Sequence, residues 1–492
     1  MPVRPIVVAA AILIGATAAW HFAGLGLTLS HYDARGHLTV ARRVTDNLTP
    51  GWRQLGALWL PLPHLLNAIP VRWMWNYQTG FSAVVINLVA MALGLGALAR
   101  LVARHTGSAS AAFAAAAVVL LNPAVLYLAS TPMTEPLLFA LCWLALDAVD
   151  RTLDGPEGLA THPAAGPLLA LAVLTRYEAW PVAAALVVIA AFARAGHDRM
   201  RLFLRLAAWP SAAAGAFLLL GRFALGRWFA DAGFFTPDNP AADHPMIAIT
   251  QILRGYRDLA GPAIVLLATI GVGVCARRAI ATRSPRPLLP LALVAASAVP
   301  LAAFLDGHPF RIRYMVPLVA ASGALIGMAI GALPRRWRPA LAAVTIALAL
   351  WSRPPFSLHA PMLLEAQRER PAQLGRATVT AELAASYDGT PILASMSALG
   401  HYMQETSHIG LQIHDFLNEG NGDLWQAALL APQHHVGWVL IEETAEGGDQ
   451  LAALSRSNPH FLDGFAKVAS GGGAVLYQRQ GQRAEGKGQR QR

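Results

Sequence analysis

Residues 5–40 read PIVVAAAILIGATAAWHFAGLGLTLSHYDARGHLTV, and they join a long apolar run to the first dense cluster of ionisable side chains. The run over residues 5–29 is long enough to supply the roughly 20 apolar residues that cross a bilayer core about 30 Å thick. Directly after it come four ionisable residues: His31, Asp33, Arg35 and His37. The stretch therefore predicts an uncleaved first membrane span that ends in a polar cluster.

The composition of the whole chain indicates a polytopic membrane protein. Of its 492 residues, 55% are hydrophobic and only 13% are charged, whereas a soluble domain carries about 25% charged residues. Further apolar runs at residues 81–101 and 259–275 also approach the length of a span. Both cysteines, Cys142 and Cys275, lie inside apolar segments, which argues against a disulfide framework or a thiolate metal site.

Apolar segments begin near residues 5, 79, 109, 133, 163, 178, 203, 259, 287, 312 and 338, which predicts about eleven spans. A cytoplasmic N-terminus places the arginines of the short loops on the inner side, and an odd number of spans then places the C-terminus outside. These arginines are Arg100, Arg104, Arg151, Arg194, Arg199, Arg201, Arg205, Arg277, Arg278, Arg283, Arg286, Arg335, Arg336 and Arg338.

The net charge of +10 is explained by these topological arginines, so we predict no nucleic-acid partner. The chain is rich in Arg and Ala and poor in Lys, which is typical of a GC-rich bacterial genome. We therefore expect a multi-pass protein of the bacterial plasma (inner) membrane.

The predicted domains are a membrane domain over residues 1–352, with long outer loops at 30–78 and 226–258, and a small extracytoplasmic α/β domain over 353–480. In the second domain, short apolar runs such as PILAS, VGWVLIE and AVLYQ alternate with helix-like stretches such as DLWQAALL. The tail at 481–492 is polar and low in complexity, which predicts disorder.

The ionisable cluster of the first outer loop opens a predicted amphipathic helix that lies in the membrane interface. Leu38, Ala41, Val44 and Leu48 recur at helical spacing. Asp33 and His37 share one side of this helix by the i, i+4 rule, so we expect both to face one cavity. The second half of the loop, ALWLPLPHLLNAIP, contains His64 and predicts another short helix.

Three more predicted outer-face sites carry charges that are costly near a bilayer. They are Glu135 in TPMTEPLL; Arg176, Tyr177 and Glu178 in one tight turn; and Asp306, His308, Arg311 and Arg313 before Tyr314. Their location on one side of the membrane predicts a shared polar cavity that is open to the outer leaflet.

Each residue also has a simpler interpretation when it is taken alone. Arg35 and Arg42 then are interfacial anchors, and His31 and His64 are packing or hydrogen-bonding residues rather than metal ligands. Glu135 is then a carboxylate that stabilises a helix N-terminus. Only the presence of all the sites on one side favours a functional role.

The order of these motifs resembles the GT-C superfamily of membrane glycosyltransferases, in particular the protein O-mannosyltransferases and the lipid A aminoarabinose transferase (glycosyltransferase family 39-like). The matching segments are YDARGHLTVARRV, WLPLPHLL, TEPLL, TRYE and RYMVPL, spread over residues 1–350. The resemblance implies sugar transfer from a polyprenyl-phosphate donor, with Asp33 as catalytic base. Ala34 stands where the mannosyltransferases have a second acidic residue, which argues against protein mannosylation.

Transfer from a phosphate-linked sugar needs a base for the acceptor hydroxyl and cations for the leaving phosphate. We assign the first role to Asp33 and the second to Arg311 or Arg313, helped by Arg176, and we expect inversion at the anomeric carbon. Glu135 and Glu178 would orient these arginines or bind sugar hydroxyls. The remaining candidates for substrate contacts are His37, His64, His308, Asp306 and Tyr314.

The same residues leave the cofactor and the acceptor open. Asp33, Glu135 and Asp306 offer oxygen ligands for a divalent metal, but their spacing does not demand one. The donor's tail requires a groove between spans that membrane lipid can reach. The alternatives to an enzyme are a transporter, which would place its charges near the membrane midplane, and a lipid-binding scaffold.

Overall fold

The computed structural model describes residues 3–56, 58–155, 162–226, 228 and 239–481. It consists of a helical bundle followed by a smaller domain with a β-sheet. The bundle helices are α1 Val3–Gly24, α2 Tyr32–Arg42, α3 Leu62–Asn67, α4 Met74–Thr79, α5 Phe81–Thr106, α6 Ala109–Leu120, α7 Pro123–Ala129, α8 Glu135–Thr152, α9 Ala165–Val173, α10 Ala179–Phe192, α11 Gly196–Leu225, α12 Pro245–Ala260, α13 Pro262–Thr282, α14 Ala298–Leu305, α15 Val316–Gly331 and α16 Arg338–Ser352.

Short 3₁₀ helices extend or connect these elements. Those of the bundle are Trp52–Leu55, Pro70–Arg72, Arg286–Ser297, Ile312–Met315 and Arg335–Trp337. Within the predicted outer loop 226–258, residues 245–258 belong to α12, whereas 227 and 229–238 lie outside the described residues. The predicted disordered tail lies outside them as well, apart from residue 481.

Each of the eleven predicted apolar segments coincides with a helix or a pair of helices. Within the described residues, six helices are long and apolar enough to cross a membrane, and a seventh span arises if α6 and α7, which are bent by 69°, are counted as one. The six are Val3–Gly24, Phe81–Thr106, Gly196–Phe223, Pro262–Thr282, Arg286–Leu305 and Ile312–Gly331. The remaining segments are shorter, so the count of eleven spans stays a prediction.

Small residues allow the bundle helices to approach closely. At Gly271 of α13, an added Cβ would lie 2.1 Å from the Leu325 carbonyl oxygen of α15. At Gly94 of α5, it would lie 2.5 Å from the Cα of Ala140 in α8. Close backbone approach at small residues is how helices pack in membranes, where lipid competes with apolar side chains for the same surface.

The bundle has two charged ends. At the end opposite to α2, Arg100 and Arg104 of α5 pair with Asp147 and Asp150 of α8, both of which are buried. Arg286 Nε donates to Asp150 Oδ1 at 2.9 Å. These three arginines lie together at one end of the bundle. They belong to the loops that the sequence predicts to face the cytoplasm.

The smaller domain contains the predicted α/β elements. Its helices are α17 Pro361–Ala366, α18 Arg370–Gly375, α19 Ala377–Ser386, α20 Met396–Glu405, α21 Asp423–Leu430 and α22 Gln450–Ser457, and its strands are β1 Ile392–Ala394, β2 Phe416–Leu417, β3 Trp438–Glu442, β4 Phe465–Gly471 and β5 Ala474–Arg479. Its 3₁₀ helices are Thr406–Ile409, Ile413–Asp415, Glu419–Asn421 and Pro432–His434.

These strands form a sheet of order β2-β1-β3-β5-β4. Strand β1 runs parallel to β2 and β3, whereas β5 runs antiparallel to β3 and β4. Along β3, Trp438 and Leu440 belong to one apolar cluster and Val439 and Ile441 to another. Because side chains alternate along a strand, helices cover both faces of the sheet.

The prediction that the helix after the first span lies in the membrane interface is wrong. Helix α2 packs against α20 of the smaller domain, and nearly all of its residues are buried. Arg35 and Arg42, which are 1% and 5% exposed, are therefore not interfacial anchors. The apolar side that the pattern assigned to lipid is covered by protein instead.

We expect Gly271→Ala to lower the free energy of unfolding by about 1–3 kcal/mol, because the added methyl group has to push α13 away from α15. Gly273→Ala is the matched control, since an added Cβ there meets nothing within 4 Å. Thermal unfolding of both variants in detergent tests the prediction. Equal stability of the two variants would contradict it.

Candidate active site

The first part of the site is a buried ion pair between Asp33 and Arg313. His31 caps the N-terminus of α2, and its Nδ1 accepts a hydrogen bond from the Asp33 amide at 3.1 Å. Arg313 lies in the 3₁₀ turn before α15, and its Nη1 donates to Asp33 Oδ2. Only 6% of Asp33 and 7% of Arg313 is exposed. The pair therefore joins the start of α2 to the start of α15 away from water.

The surroundings of Asp33 keep it ionised. Burial opposes the charge, but Arg313, with His31 and His37 nearby, holds the pKa of Asp33 well below its usual range. Arg313 keeps one buried donor, because its Nε has no hydrogen-bond partner among the described residues. Its guanidinium also lies 5.2 Å from the ring centroid of Tyr314. A buried cation with a spare N–H group can bind an anionic ligand.

A second cluster is built around Arg176, in the turn between α9 and α10. Arg176 Nη2 donates to Glu178 Oε1 at 2.7 Å, and Nη1 lies 3.0 Å from Glu135 Oε1. Glu135 and Glu178 are 1% and 4% exposed. Burial raises the pKa of Glu178, but Arg176 outweighs burial, so this pKa lies below its usual range. The predicted TEPLL and TRYE motifs thus meet in space.

The two clusters belong to one site, because the charges of Arg176 and Glu135 both act on Arg313. The sequence predicted that charges from four separate segments of the chain would lie on one side of the membrane. In the structure, Arg313 lies within electrostatic range of Asp33, Glu135 and Arg176.

His308, Arg311 and Tyr314 border the first ion pair. His308 Nδ1 lies 2.9 Å from the Pro309 carbonyl, which can only accept, so Nδ1 carries the proton. His308 Nε2 then accepts from the Tyr314 hydroxyl at 3.3 Å. Arg311 is buried, and its Nη2 donates to Glu446 of the smaller domain. This domain therefore contributes to the wall of the site.

His37 and His64 form a buried pair next to Trp59. His64 Nδ1 lies 3.1 Å from the Leu60 carbonyl, so Nδ1 donates, and His64 Nε2 accepts from His37 Nδ1 at 3.0 Å. Burial, together with Arg43, lowers the pKa of His64 to about 3. Burial and His64 hold the pKa of His37 well below its usual range. Both rings are therefore neutral at pH 7, and His64 is a hydrogen-bonding residue as expected.

Sequence reasoning missed Glu365, which lies in α17 after the bundle. Its Oε2 accepts from the Ile312 amide at 2.6 Å, and its Oε1 lies 3.9 Å from His31 Nε2. Burial opposes the charge of Glu365, but His31 and Arg313 lower its pKa below the usual range. No local motif marks this glutamate, because its neighbours in the site lie more than 50 positions away along the chain.

Asp306 is not part of this cluster. It is exposed, and its side chain makes no hydrogen bond or ion pair with any described residue. Asp33 and Glu135 are each paired with an arginine instead. Within the described ranges, no group of three or more His, Cys, Asp or Glu side chains is arranged to hold a metal ion. The three suggested oxygen ligands therefore do not fit one divalent metal.

A cavity of about 440 Å³ borders the site, a size within the usual range for a small-ligand pocket, about 300–1,000 Å³. Ile312 and Glu365 form part of its wall, and Ile312 directly precedes Arg313. Its other walls include Phe310, Arg353 and Arg368. The cavity wall therefore includes the chain neighbour of Arg313 and the carboxylate of Glu365, which contacts the Ile312 amide.

We expect Arg176→Met to lower the free energy of unfolding by about 3–5 kcal/mol, because it leaves two buried carboxylates without their cation. Arg257→Met is the matched control. Arg257 pairs with Asp258 on the surface, where an ion pair contributes about 0–1 kcal/mol. Thermal unfolding in detergent distinguishes the two, and a loss at Arg176 no larger than that at Arg257 would refute the prediction.

The neutral histidine pair predicts a pH dependence of stability. The folded pKa of both histidines lies below the unfolded value of about 6.5, so their contribution is fully present above that pH and is lost as the pH falls toward the folded pKa. Between the unfolded and the folded pKa, each ring lowers the free energy of unfolding by about 1.4 kcal/mol for every unit by which the pH falls. His64→Gln should flatten the decline of the melting temperature between pH 7 and pH 5, whereas the exposed control His359→Gln should not. An unchanged slope in His64→Gln would contradict the assignment.

Known proteins resemble this chain in fold but not closely in sequence. No protein-family model and no curated protein matches the sequence. Crystal structures of ArnT from Cupriavidus metallidurans, a lipid A aminoarabinose transferase, match with TM-scores of 0.58 in the apo state and 0.56 bound to undecaprenyl phosphate. Their identities are 14% and 13%, and each match covers 96% of this chain and 97% of ArnT.

The oligosaccharyltransferase of Archaeoglobus fulgidus, in complex with Zn and sulfate, matches with a TM-score of 0.48 and 12% identity, over 96% of this chain and 73% of that protein. ArnT is a glycosyltransferase of GT-C fold. Its likeness extends over both the helical bundle and the smaller domain, since only 4% of this chain is left out. The predicted fold class is thereby confirmed: this membrane protein has the GT-C fold.

Proposed function

We propose that this protein is a membrane glycosyltransferase that moves a sugar from a polyprenyl-phosphate donor to an acceptor hydroxyl on the extracytoplasmic side. The observation that carries the proposal is the buried Asp33–Arg313 ion pair at the start of α2. A carboxylate and a cation side by side are the two groups that transfer from a phosphate-linked sugar requires. The fold shared with ArnT, one structure of which is bound to undecaprenyl phosphate, supports the same class of donor.

In the proposed reaction, Asp33 takes the proton of the acceptor hydroxyl. The acceptor oxygen forms a bond to the anomeric carbon while the bond from that carbon to the phosphate oxygen breaks. The electron pair leaves with the lipid phosphate, where a cation has to stabilise the growing negative charge. A single displacement from the side opposite to the phosphate gives inversion and needs no nucleophile from the protein.

The pairing of Asp33 with Arg313 suggests how the donor prepares the base. As long as Arg313 contacts Asp33, the pKa of the carboxyl is too low for efficient proton abstraction. A donor phosphate competes for the same guanidinium and also meets the spare donor at Arg313 Nε. The pKa of Asp33 then rises toward its usual range, so donor binding turns the carboxylate into a better base.

The second cluster would hold the phosphate from another direction. Arg176 forms an ion pair with Glu135 and donates to Glu178 and Thr134, which keep its guanidinium in place. Its positive charge nevertheless acts on the region around Arg313, where a dianionic or monoanionic phosphate would bind. Arg311, whose partner Glu446 is partly exposed, is the arginine that could most readily exchange its carboxylate for phosphate.

The two ends of the bundle support the proposed membrane orientation. The end opposite to the site contains Arg100, Arg104 and Arg286, which lie in loops of the predicted inner side. The site and the smaller domain would then face the extracytoplasmic side. Charges at helix ends rather than at mid-helix favour this enzyme over a transporter.

We expect Asp33→Asn to reduce sugar transfer by about 10²–10⁴-fold, the usual contribution of a general base. The substitution keeps the shape of the side chain and removes the basic oxygen. The assay measures transfer of radiolabelled sugar from membranes charged with polyprenyl-phosphate sugars. Asp423→Asn, at an exposed residue of α21, is the matched control and should transfer like the wild type.

The identity of the labelled product would reveal the class of acceptor. Activity of Asp33→Asn equal to that of the wild type, at equal abundance, would remove Asp33 from the role of base. If the wild type transfers no sugar from any polyprenyl-phosphate carrier tested, the result would instead favour a transporter or a lipid-binding scaffold.

A further inference from the structure

Helix α2 lies between the bundle and the smaller domain, and its two sides contact different parts of the protein. Asp33 and Arg35 are two positions apart, which is about 200° around a helix, so they point to different sides. Asp33 contacts Arg313 of the bundle, whereas Arg35 contacts Glu405 at the end of α20 in the smaller domain. A shift of α2 toward the bundle would therefore move it away from the smaller domain, and a shift toward the smaller domain would move it away from Arg313.

Glu405 is shared by two buried arginines. Arg35 Nη1 lies 2.9 Å and Arg376 Nη2 lies 3.0 Å from the same atom, Glu405 Oε1. Arg35 and Arg376 are 1% and 2% exposed. A buried guanidinium without a carboxylate is strongly destabilising. Within the described residues, Arg35 has no ion-pair partner other than Glu405, and its Nε and Nη2 have no hydrogen-bond partner.

The smaller domain also holds the other end of α2. Asp46, four residues after the helix ends, accepts from Arg42 Nε at 2.7 Å. It also contacts His414 of the smaller domain, with His414 Nδ1 2.6 Å and the His414 amide 3.1 Å from Asp46 Oδ1. The helix that carries Asp33 is thus fixed at both ends by charged contacts with one domain.

We propose that Glu405 is a positioning residue, which holds Asp33 in place for sugar transfer through Arg35 and helix α2. This inference rests on the proposed function. Glu405 lies 372 positions after Asp33 in the chain, and the contacts given above connect it to the site only through α2. The smaller domain would then affect catalysis without contacting the substrate, because it sets the position of α2 and therefore the distance between Asp33 and the substrate.

The test uses the full-length protein with two single variants and their combination. Arg35→Gln removes the link to α2 but leaves the Glu405–Arg376 pair intact inside the smaller domain. Glu405→Gln removes the shared carboxylate. Glu443→Gln, at an exposed residue after β3, is the matched control. The two readouts are kcat and KM for the polyprenyl-phosphate sugar, and hydrogen–deuterium exchange of the α2 amides.

We expect both single variants to lower kcat by about 10-fold to 100-fold with KM unchanged, because a reacting group misplaced by about 1 Å can cost about 100-fold in rate. The double variant should be no slower than the slower single variant, since both act through one contact. Exchange of the α2 amides should rise in each variant while exchange in β3 stays as in the wild type.

Unchanged α2 exchange in Arg35→Gln would overturn the proposal, and so would an increase of KM with kcat unaffected. Additive losses in the double variant would also overturn it. If the wild type transfers no sugar at all, the proposed function fails while the exchange measurement still decides whether Glu405 holds α2. If Glu405→Gln fails to fold, Arg35→Gln alone decides the question.

Discussion

The site depends on one constraint, which is that an ionised side chain inside this protein needs a partner of opposite charge. Desolvating a charge costs several kcal/mol even after the protein relaxes. Asp33 meets this demand through Arg313, and Glu135 and Glu178 meet it through Arg176. Since the partners are far apart in sequence, each pairing ties distant segments together. The pairs that make the charges tolerable connect the start of α2 with the start of α15, and the start of α8 with the start of α10.

The same constraint gives the unliganded site a definite chemical state. With Arg313 in contact, Asp33 is ionised and has a low pKa, and hydrogen bonds to Glu178 keep Arg176 in place. A phosphate group that binds Arg313 would meet the spare donor at Nε and would compete with Asp33 for the same guanidinium. In the proposed reaction, donor binding and the rise in the pKa of Asp33 would then be one exchange of partners.

The sequence predicted the parts of this arrangement that local patterns encode. Apolar runs marked the helices, alternating runs such as VGWVLIE marked the strands, and the charges of Asp33, Glu135, Arg176 and Arg313 stood out because they interrupt apolar segments. Glu365 and Glu405 were missed, since a glutamate in a polar domain looks like a surface residue. The interface position of α2 was predicted wrongly for a related reason. An apolar helix face has the same pattern whether lipid or a second domain covers it.

The two ends of the bundle show why residue type alone does not reveal function. Both ends combine arginines with acidic residues, yet Arg100, Arg104 and Arg286 are 26–29% exposed, whereas Asp33 and Arg313 are each about 8% exposed in their side chains. An ion pair weakens as water and salt approach it, because the effective dielectric constant rises. The outer members of the arginine-rich end can therefore satisfy topology and contact water at the same time. At the buried end, little water weakens the ion pair, and in the proposed reaction a ligand that brings its own charge competes for Arg313.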